Sequence, residues 1–173
     1  IIKIMGTENL KNSEAVDKLK EFVDGIDIGM MSTFSQKNTY PITVPMSRQE
    51  IDDTGCIWYL GSSESETFKN LETNKNIMIS FSDVSDYRFI VIQGVAEVSK
   101  DQERIDKYWN PFIEAYFEKG KEDPSIRVLK ITPSEAQYWE NKSGKLMTVI
   151  KLTTSAITGS KLDLGREGNL EFN

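Results

Sequence analysis

Between Cys56 and Ser99 the chain reads strand, polar turn, helix, strand, turn, strand, and this stretch most limits what the whole can become. Cys56-Ile57-Trp58-Tyr59-Leu60 is a short run of apolar, β-branched and aromatic residues, the composition of a strand. Gly61-Ser62-Ser63-Glu64-Ser65-Glu66 follows, a cluster that marks a loop feeding a helix N-terminus. Thr67 to Thr73 supplies about two helical turns, with Phe68 and Leu71 on one face. Ile77, Ile79 and Phe81 then alternate with Met78, Ser80 and Ser82, as in a strand with one buried face. Arg88 to Val98 is apolar on both sides and predicts a central strand. A serine-rich loop held between strands is a place where a ligand can sit.

The flanks continue the pattern. Asn12 or Ser13 can cap a first helix whose apolar stripe is Ala15, Leu19, Phe22, Val23 and Ile26, ended by Asp24-Gly25. Gly29 to Phe34 predicts a strand, and Ser35-Gln36-Lys37-Asn38 a tight turn. Thr39 to Ile51 predicts another strand containing Pro41 and Pro45. Proline donates no ladder hydrogen bond, so this strand belongs at an edge or carries a bulge. Asp52-Asp53-Thr54-Gly55 is a hairpin-like turn.

Beyond the central stretch, Ser99 and Gln102 are spaced as a capping box. Ile105 and Trp109 share a helical face, and Asn110-Pro111 restarts a helix lined by Phe112, Tyr116 and Phe117. Lys119 to Pro124 stops it. Ile126 to Ile131 alternates as a strand that Pro133 breaks before Ala136 to Glu140 continues it after a bend. A turn at Asn141 to Gly144 leads to a last strand, Leu146 to Leu152. A polar tail follows, with Leu162, Leu164, Leu170 and Phe172 as candidate anchors.

Seven or eight strands in mostly short-loop, antiparallel order result, and only the link through residues 61–75 is long enough to cross between sheets. The expected architecture is mainly β, a small closed or split β-barrel with peripheral helices. One domain spans residues 1–173. An N-terminal helix occupies 1–27, the barrel 28–153 with inserted helices near 64–74 and 101–119, and the tail 154–173.

Composition excludes several chemistries. The chain has no histidine and one cysteine, which removes Ser-His-Asp and Cys-His catalysis, histidine-ligated haem and the usual zinc sites. Cys56 opens a strand and is expected to be a small buried hydrophobe. A lone cysteine forms no intramolecular disulfide, which fits a reducing cytoplasm. A net charge of −6 argues against a nucleic-acid partner. No run approaches the ~20 apolar residues of a membrane helix, and no signal peptide is visible.

Several motifs together resemble one family. Trp109-Asn110-Pro111, Gly120-Lys121-Glu122-Asp123-Pro124, Tyr138-Trp139-Glu140 and Ser143-Gly144-Lys145-Leu146 are similar to the signature of the general stress protein 26 group. That group lies within the pyridoxamine 5′-phosphate oxidase-like, FMN-binding split barrels. Val44-Pro45-Met46, Trp58-Tyr59 and the closing Gly165 to Phe172 fall in the same order. The resemblance implies a six-stranded Greek-key split barrel, a cytoplasmic homodimer with flavin at the subunit interface, and oxidoreductase chemistry on a substrate that the residues do not name. It implies cofactor contacts from Pro45, Met46, Tyr59, Gly61, Ser62, Ser65, Thr67 and Trp109; no catalytic residue and no metal ligand is assigned.

The resemblance also places the cofactor phosphate beside an Arg on the second strand and a Lys after the third-strand loop. By register these positions are Val44 and Thr67, and neither supplies a cation. Glu64 and Glu66 flank the loop, where they satisfy the helix dipole and repel a dianion. Arg48 lies ~13 Å along the strand from Val44, and Lys69 is turned about 200° from Thr67.

Each candidate has a structural alternative. Pro45 and Met46 can shape an edge strand, Tyr59 and Trp109 can be core, and Ser62 and Ser65 can be plain caps. Two functions follow. One is an FMN-binding stress-type flavoprotein, with FAD as a variant. The other is a split-barrel dimer without flavin that acts as a non-enzymatic ligand-binding or interaction protein.

Overall fold

The computed structural model describes residues 5–35, 39–141 and 165–172. Strands β1 (Met5–Thr7) and β2 (Leu10–Lys11) precede helix α1 (Asn12–Val23). Then come β3 (Ile28–Thr33), β4 (Ile42–Ile51), β5 (Ile57–Ser62) and α2 (Glu66–Thr73). Strands β6 (Asn76–Asp83) and β7 (Arg88–Ser99) follow. Helices α3 (Gln102–Tyr108) and α4 (Pro111–Glu114) and a 3₁₀ turn at Gly120–Glu122 lead to β8 (Ile126–Glu140). Strand β9 is Gly165–Glu171.

The pairing order β3-β4-β5-β8-β7-β6, closed by β6 on β3, makes a six-stranded antiparallel barrel. The chain lays down β3, β4 and β5 side by side, then crosses through α2 to pair β6 with the other edge of β3. That is the crossing for which residues 61–75 are long enough. The barrel interior holds Met31, Ile57, Tyr59, Ile79, Phe81, Ile90, Ile92 and Leu129, with Leu19 and Phe22 of α1 in the same cluster. The outward residues of β5 and β8 (Trp58, Leu60, Val128) form a second cluster with Ile105, Tyr108, Ile113 and Phe117. Cys56 is buried in it. Among the described residues no helix is long and apolar enough to cross a membrane.

Proline positions shape the barrel. Pro45 pairs with Met30 of β3, but β4 meets β5 only from Arg48 to Ile51, with a bulge between Arg48 and Glu50. The first half of β4 is therefore a local edge within a closed barrel, and this is the split. Pro133 does not break β8, contrary to expectation. The strand runs through it because Gly94 opposes Pro133 while Gln93 opposes Glu135, which leaves Ser134 bulged. Its hydroxyl donates to the Gln93 carbonyl at 3.1 Å. At Gly94 a Cβ would lie 2.5 Å from the Thr132 carbonyl oxygen, so only glycine fits the bulge.

Other expectations are corrected. No side chain caps α1; Lys11 occupies the N-cap position and Asn12 has a positive φ of 52°. Ser99 ends β7, and Asp101 caps α3 by accepting from the Arg104 N–H at 3.1 Å. Strand β7 is central but one-faced: Ile90, Ile92 and Ala96 point inward, while Val95 is 47% exposed. The tail from Gly165 is a strand, antiparallel to β8 and parallel to β1 and β2. Leu170 is buried, and Phe172 packs against the same cluster. The strand expected at Leu146–Leu152, most of the turn before it, Leu162 and Leu164 lie outside the described residues. So do three of the four residues expected to form the turn from Ser35.

Asn110 behaves as expected, its side chain accepting from the N–H groups of Phe112 and Ile113 at 2.9 and 3.0 Å. With Pro111 at the first helical position, this fixes where α4 begins. Helix α3 is tied to the barrel by a polar cluster. The Glu50 carboxylate accepts from Lys107 at 2.6 Å, Arg104 at 3.2 Å and the Tyr108 hydroxyl. The Arg104 guanidinium lies 3.3 Å from the centre of the Trp58 ring, a cation–π contact. Trp58 in turn donates to Asp52 at 2.8 Å.

The hydrogen bond from Lys107, then that from Tyr108, holds the Glu50 carboxyl below its ordinary range. At Asp52 desolvation is the largest influence and pushes upward, but hydrogen bonds from Thr54, Trp58 and the Cys56 N–H together outweigh it. Both groups titrate lower folded than unfolded. Their contribution is therefore complete above the ordinary carboxylate range and is lost as pH falls through the folded values.

Two predictions follow from this framework. Gly94→Ala should lower the unfolding free energy by about 1–3 kcal/mol, seen as a reduced urea midpoint; an unchanged midpoint would show that the bulge tolerates a side chain. The wild-type midpoint should also drop on acidification below the ordinary carboxylate range, with a shallower pH dependence in Glu50→Gln and Asp52→Asn; equal slopes in all three proteins would contradict the assigned roles.

Candidate functional site

Beside the open edge of β4 lies a cavity of about 380 Å³. One wall is Val44, Pro45, Met46 and Ser47, and the end of β5 adds Leu60, Gly61 and Ser62. The start of α2 contributes Ser65, Glu66, Thr67 and Phe68. Phe112, Ile113, Tyr116 and Phe117, in and just after α4, close the remaining side. Its size falls at the small end of the range for organic ligands.

The loop that feeds α2 is rigidly made. Ser65 is the N-cap: its hydroxyl accepts from the Phe68 N–H at 3.4 Å and donates to the Ser62 carbonyl at 2.9 Å. The Ser62 hydroxyl accepts from the Glu64 N–H at 3.2 Å. Gly61 lets β5 pass directly against Phe68, because a Cβ there would lie 2.4 Å from the Phe68 ring. Both serines are thus capping residues whose hydroxyls already serve the loop.

The cavity brings together six of the eight expected cofactor residues: Pro45, Met46, Gly61, Ser62, Ser65 and Thr67. Val44 and Thr67, the two register positions expected to face a phosphate, both line it. Tyr59 does not. It is fully buried in the barrel interior, where burial raises its pKa and the nearby Arg48 partly opposes the rise. Trp109 packs instead against the outer cluster, with its ring 6.0 Å from that of Phe117.

The aromatic wall was not legible as part of a site. Phe112 and Tyr116 read as the stripe of a longer helix, yet α4 ends at Glu114 and both rings stay 59% and 71% exposed. They meet edge-on at 5.6 Å. The available signal was their i, i+4 spacing on a segment too short to bury two faces.

Among the described residues that line the cavity there is no Lys or Arg, and Glu66 is the one charged side chain. Of the expected substitutes, Arg48 is committed elsewhere and Lys69 is not on the wall. Arg48 donates to the carbonyls of Val23 and Ile26 at the end of α1 and pairs with Asp27 at 3.3 Å. Lys69 faces Glu66 at 3.9 Å. Such an arrangement suits a flat, largely apolar molecule held by van der Waals contact and a few hydroxyls. Among the described residues that line it, none carries a positive charge to neutralise a phosphate dianion, and burying an unpaired charge is costly.

Comparison with known proteins agrees with this architecture. Protein bli-3 of Neurospora crassa is 23% identical over 155 residues, covering 84% of this chain and 74% of that protein. The structure assigned to a general stress protein 26 from Jannaschia sp. CCS1 superposes with a TM-score of 0.72 at 22% identity, over 92% of this chain and 98% of that one. The general stress FMN/FAD binding protein of the phytopathogen Xanthomonas citri gives 0.64 at 26% identity, over 76% and 92%. The sequence profile described as pyridoxamine 5′-phosphate oxidase like matches residues 14–163. With that match spanning most of the chain and a six-stranded barrel beneath it, the chain belongs to the pyridoxamine 5′-phosphate oxidase-like family.

Proposed function

We propose that this chain is a small-molecule-binding split barrel that seats a flat aromatic heterocycle of the flavin class in the cavity at the strand split. The observation that carries this reading is the cavity itself. An open strand edge bearing Pro45 and Met46 faces the rings of Phe68, Phe112 and Phe117 across a gap of ligand size. Family membership supports the flavin class, as does the Xanthomonas citri relative named for FMN/FAD binding.

FMN as the specific cofactor, and oxidoreductase activity with it, require a place for the phosphate. The donor set does not fit one: among the described residues the cavity wall offers no cation, the Ser65 hydroxyl already donates to the Ser62 carbonyl, and Glu66 stands at the helix start. No redox step is therefore assigned to these residues. The charge set favours ligand binding without FMN-dependent chemistry, a reading that differs from the flavin-free dimer in keeping a flavin-class ring.

A homodimer belongs to the same proposal. Ile28 and Met30 on the outer face of β3 are 57% and 43% exposed. Across the sheet Met30 has Pro45 on one side and Ser80, then Val91, on the other. This apolar strip adjoins the cavity through Pro45, so a second copy packed on it would border the ligand.

Two measurements test the reading. Riboflavin should bind saturably by fluorescence quenching, and Phe112→Ala combined with Tyr116→Ala should weaken it by about tenfold or more, given ~0.5–1.5 kcal/mol for each aromatic contact beyond its area; unchanged affinity would remove the cavity from the account. Sedimentation should show a dimer that Met30→Glu converts to monomer, and a wild-type monomer would refute the interface.

A further inference from the structure

We infer that this cavity selects uncharged heterocycles and excludes their phosphorylated forms, so that the chain takes a dephosphorylated, flavin-like ligand in preference to FMN or FAD. The inference rests on the reading of the cavity as a ligand site and adds the charge class of what it accepts.

Three independent features point the same way. The first is the wall. Val44, Met46, Leu60, Phe68, Ile113 and Phe117 present hydrocarbon, and such a surface desolvates a dianion without repayment. The second is the state of the helix N-terminus. A helix start attracts an anion; at α2 the Ser65 hydroxyl takes up the Phe68 N–H, and Glu66 places a carboxylate in the first turn, where it satisfies the dipole. That carboxylate is partly exposed and screened by solvent, so the missing cation matters more than the repulsion.

The third feature is the fate of the nearby cations. Arg48 spends one guanidinium nitrogen on two carbonyls at the end of α1 and on Asp27. Lys69 lies 3.9 Å from Glu66 in an exposed pair and is not among the residues that line the cavity. Releasing Arg48 to reach a phosphate would break its existing contacts.

What the cavity does offer suits a neutral polyhydroxyl tail. Thr67 and Ser47 stand on its wall, and a hydroxyl can both donate to and accept from another hydroxyl. A volume of about 380 Å³ accommodates a fused-ring system with a short polar arm, near the lower bound of ligand sites.

The test is a paired titration of the full chain with riboflavin and FMN, read by fluorescence quenching at fixed ionic strength. Riboflavin should bind at least about tenfold more tightly than FMN, a difference of about 1.4 kcal/mol. Val44→Arg and Glu66→Lys, made separately, should narrow or reverse that ratio by strengthening FMN binding; Glu66 is exposed enough that its substitution should leave the fold intact. FMN binding as tightly as riboflavin in the wild type would overturn the inference while leaving the ligand-site reading standing. Failure of both molecules to bind would overturn the two together. A ratio that neither variant moves would also count against it, since the preference would then not come from the cavity's charge.

Discussion

The incomplete pairing of β4 with β5 governs the rest of the molecule. Proline at position 45 has no N–H to give to a ladder, and pairing with β5 begins only at Arg48 and is interrupted at once by the bulge between Arg48 and Glu50. Six residues of β4, Ile42 to Ser47, consequently have β3 as their strand partner. An unpaired strand edge beside an apolar surface invites association with other chains. Here the α2 loop and the α4 aromatics stand opposite it, and the gap between edge and cover is the cavity. The split and the site are thus consequences of one local failure to pair.

The cover is positioned by polar contacts, most of them outside the cavity. Ser65 fixes the start of α2, and Asn110 fixes the start of α4. Glu50, Arg104, Lys107 and Tyr108 tie α3 to the far end of the same β4 strand. Phe117, Ile113 and Trp109 then pack against the back of β5, so that the aromatic wall rests on a buried cluster rather than on solvent. This division keeps the cations on the support and leaves the cavity lined mainly by hydrocarbon and hydroxyls, with Glu66 as its one charged side chain among the described residues. It also explains how a site can be well formed and yet hold no cation among its described residues.

Much of this was legible in the residues. Alternation placed the strands, the Asn-Pro pair placed α4, and Pro45 marked a strand that is both locally an edge and bulged. The loop from Gly61 to Ser65 was recognisable by composition, and the Val44 to Met46 wall by family resemblance. What was not legible depended on distant partners. Pro133 looks like a strand break until Gly94 stands opposite it and the bulge absorbs the defect. Strands β1 and β2 are three and two residues long and exist because β9 pairs with them. Tyr59 and Trp58 are neighbours in one apolar run that point to different clusters, and the run itself does not say which side holds the site. The α4 aromatics were hidden by their resemblance to an ordinary core stripe.

The central claim is that a ligand occupies the space between the open edge of β4 and the aromatic cover. A crystal structure of the wild-type protein grown with riboflavin tests it most directly. The account predicts ring density between Met46 and Phe68, bordered by Phe112, with the hydroxyl arm directed toward Thr67. Density for the rings at any other place on the chain, or a cavity filled by side chains of a second copy with riboflavin absent, would contradict it.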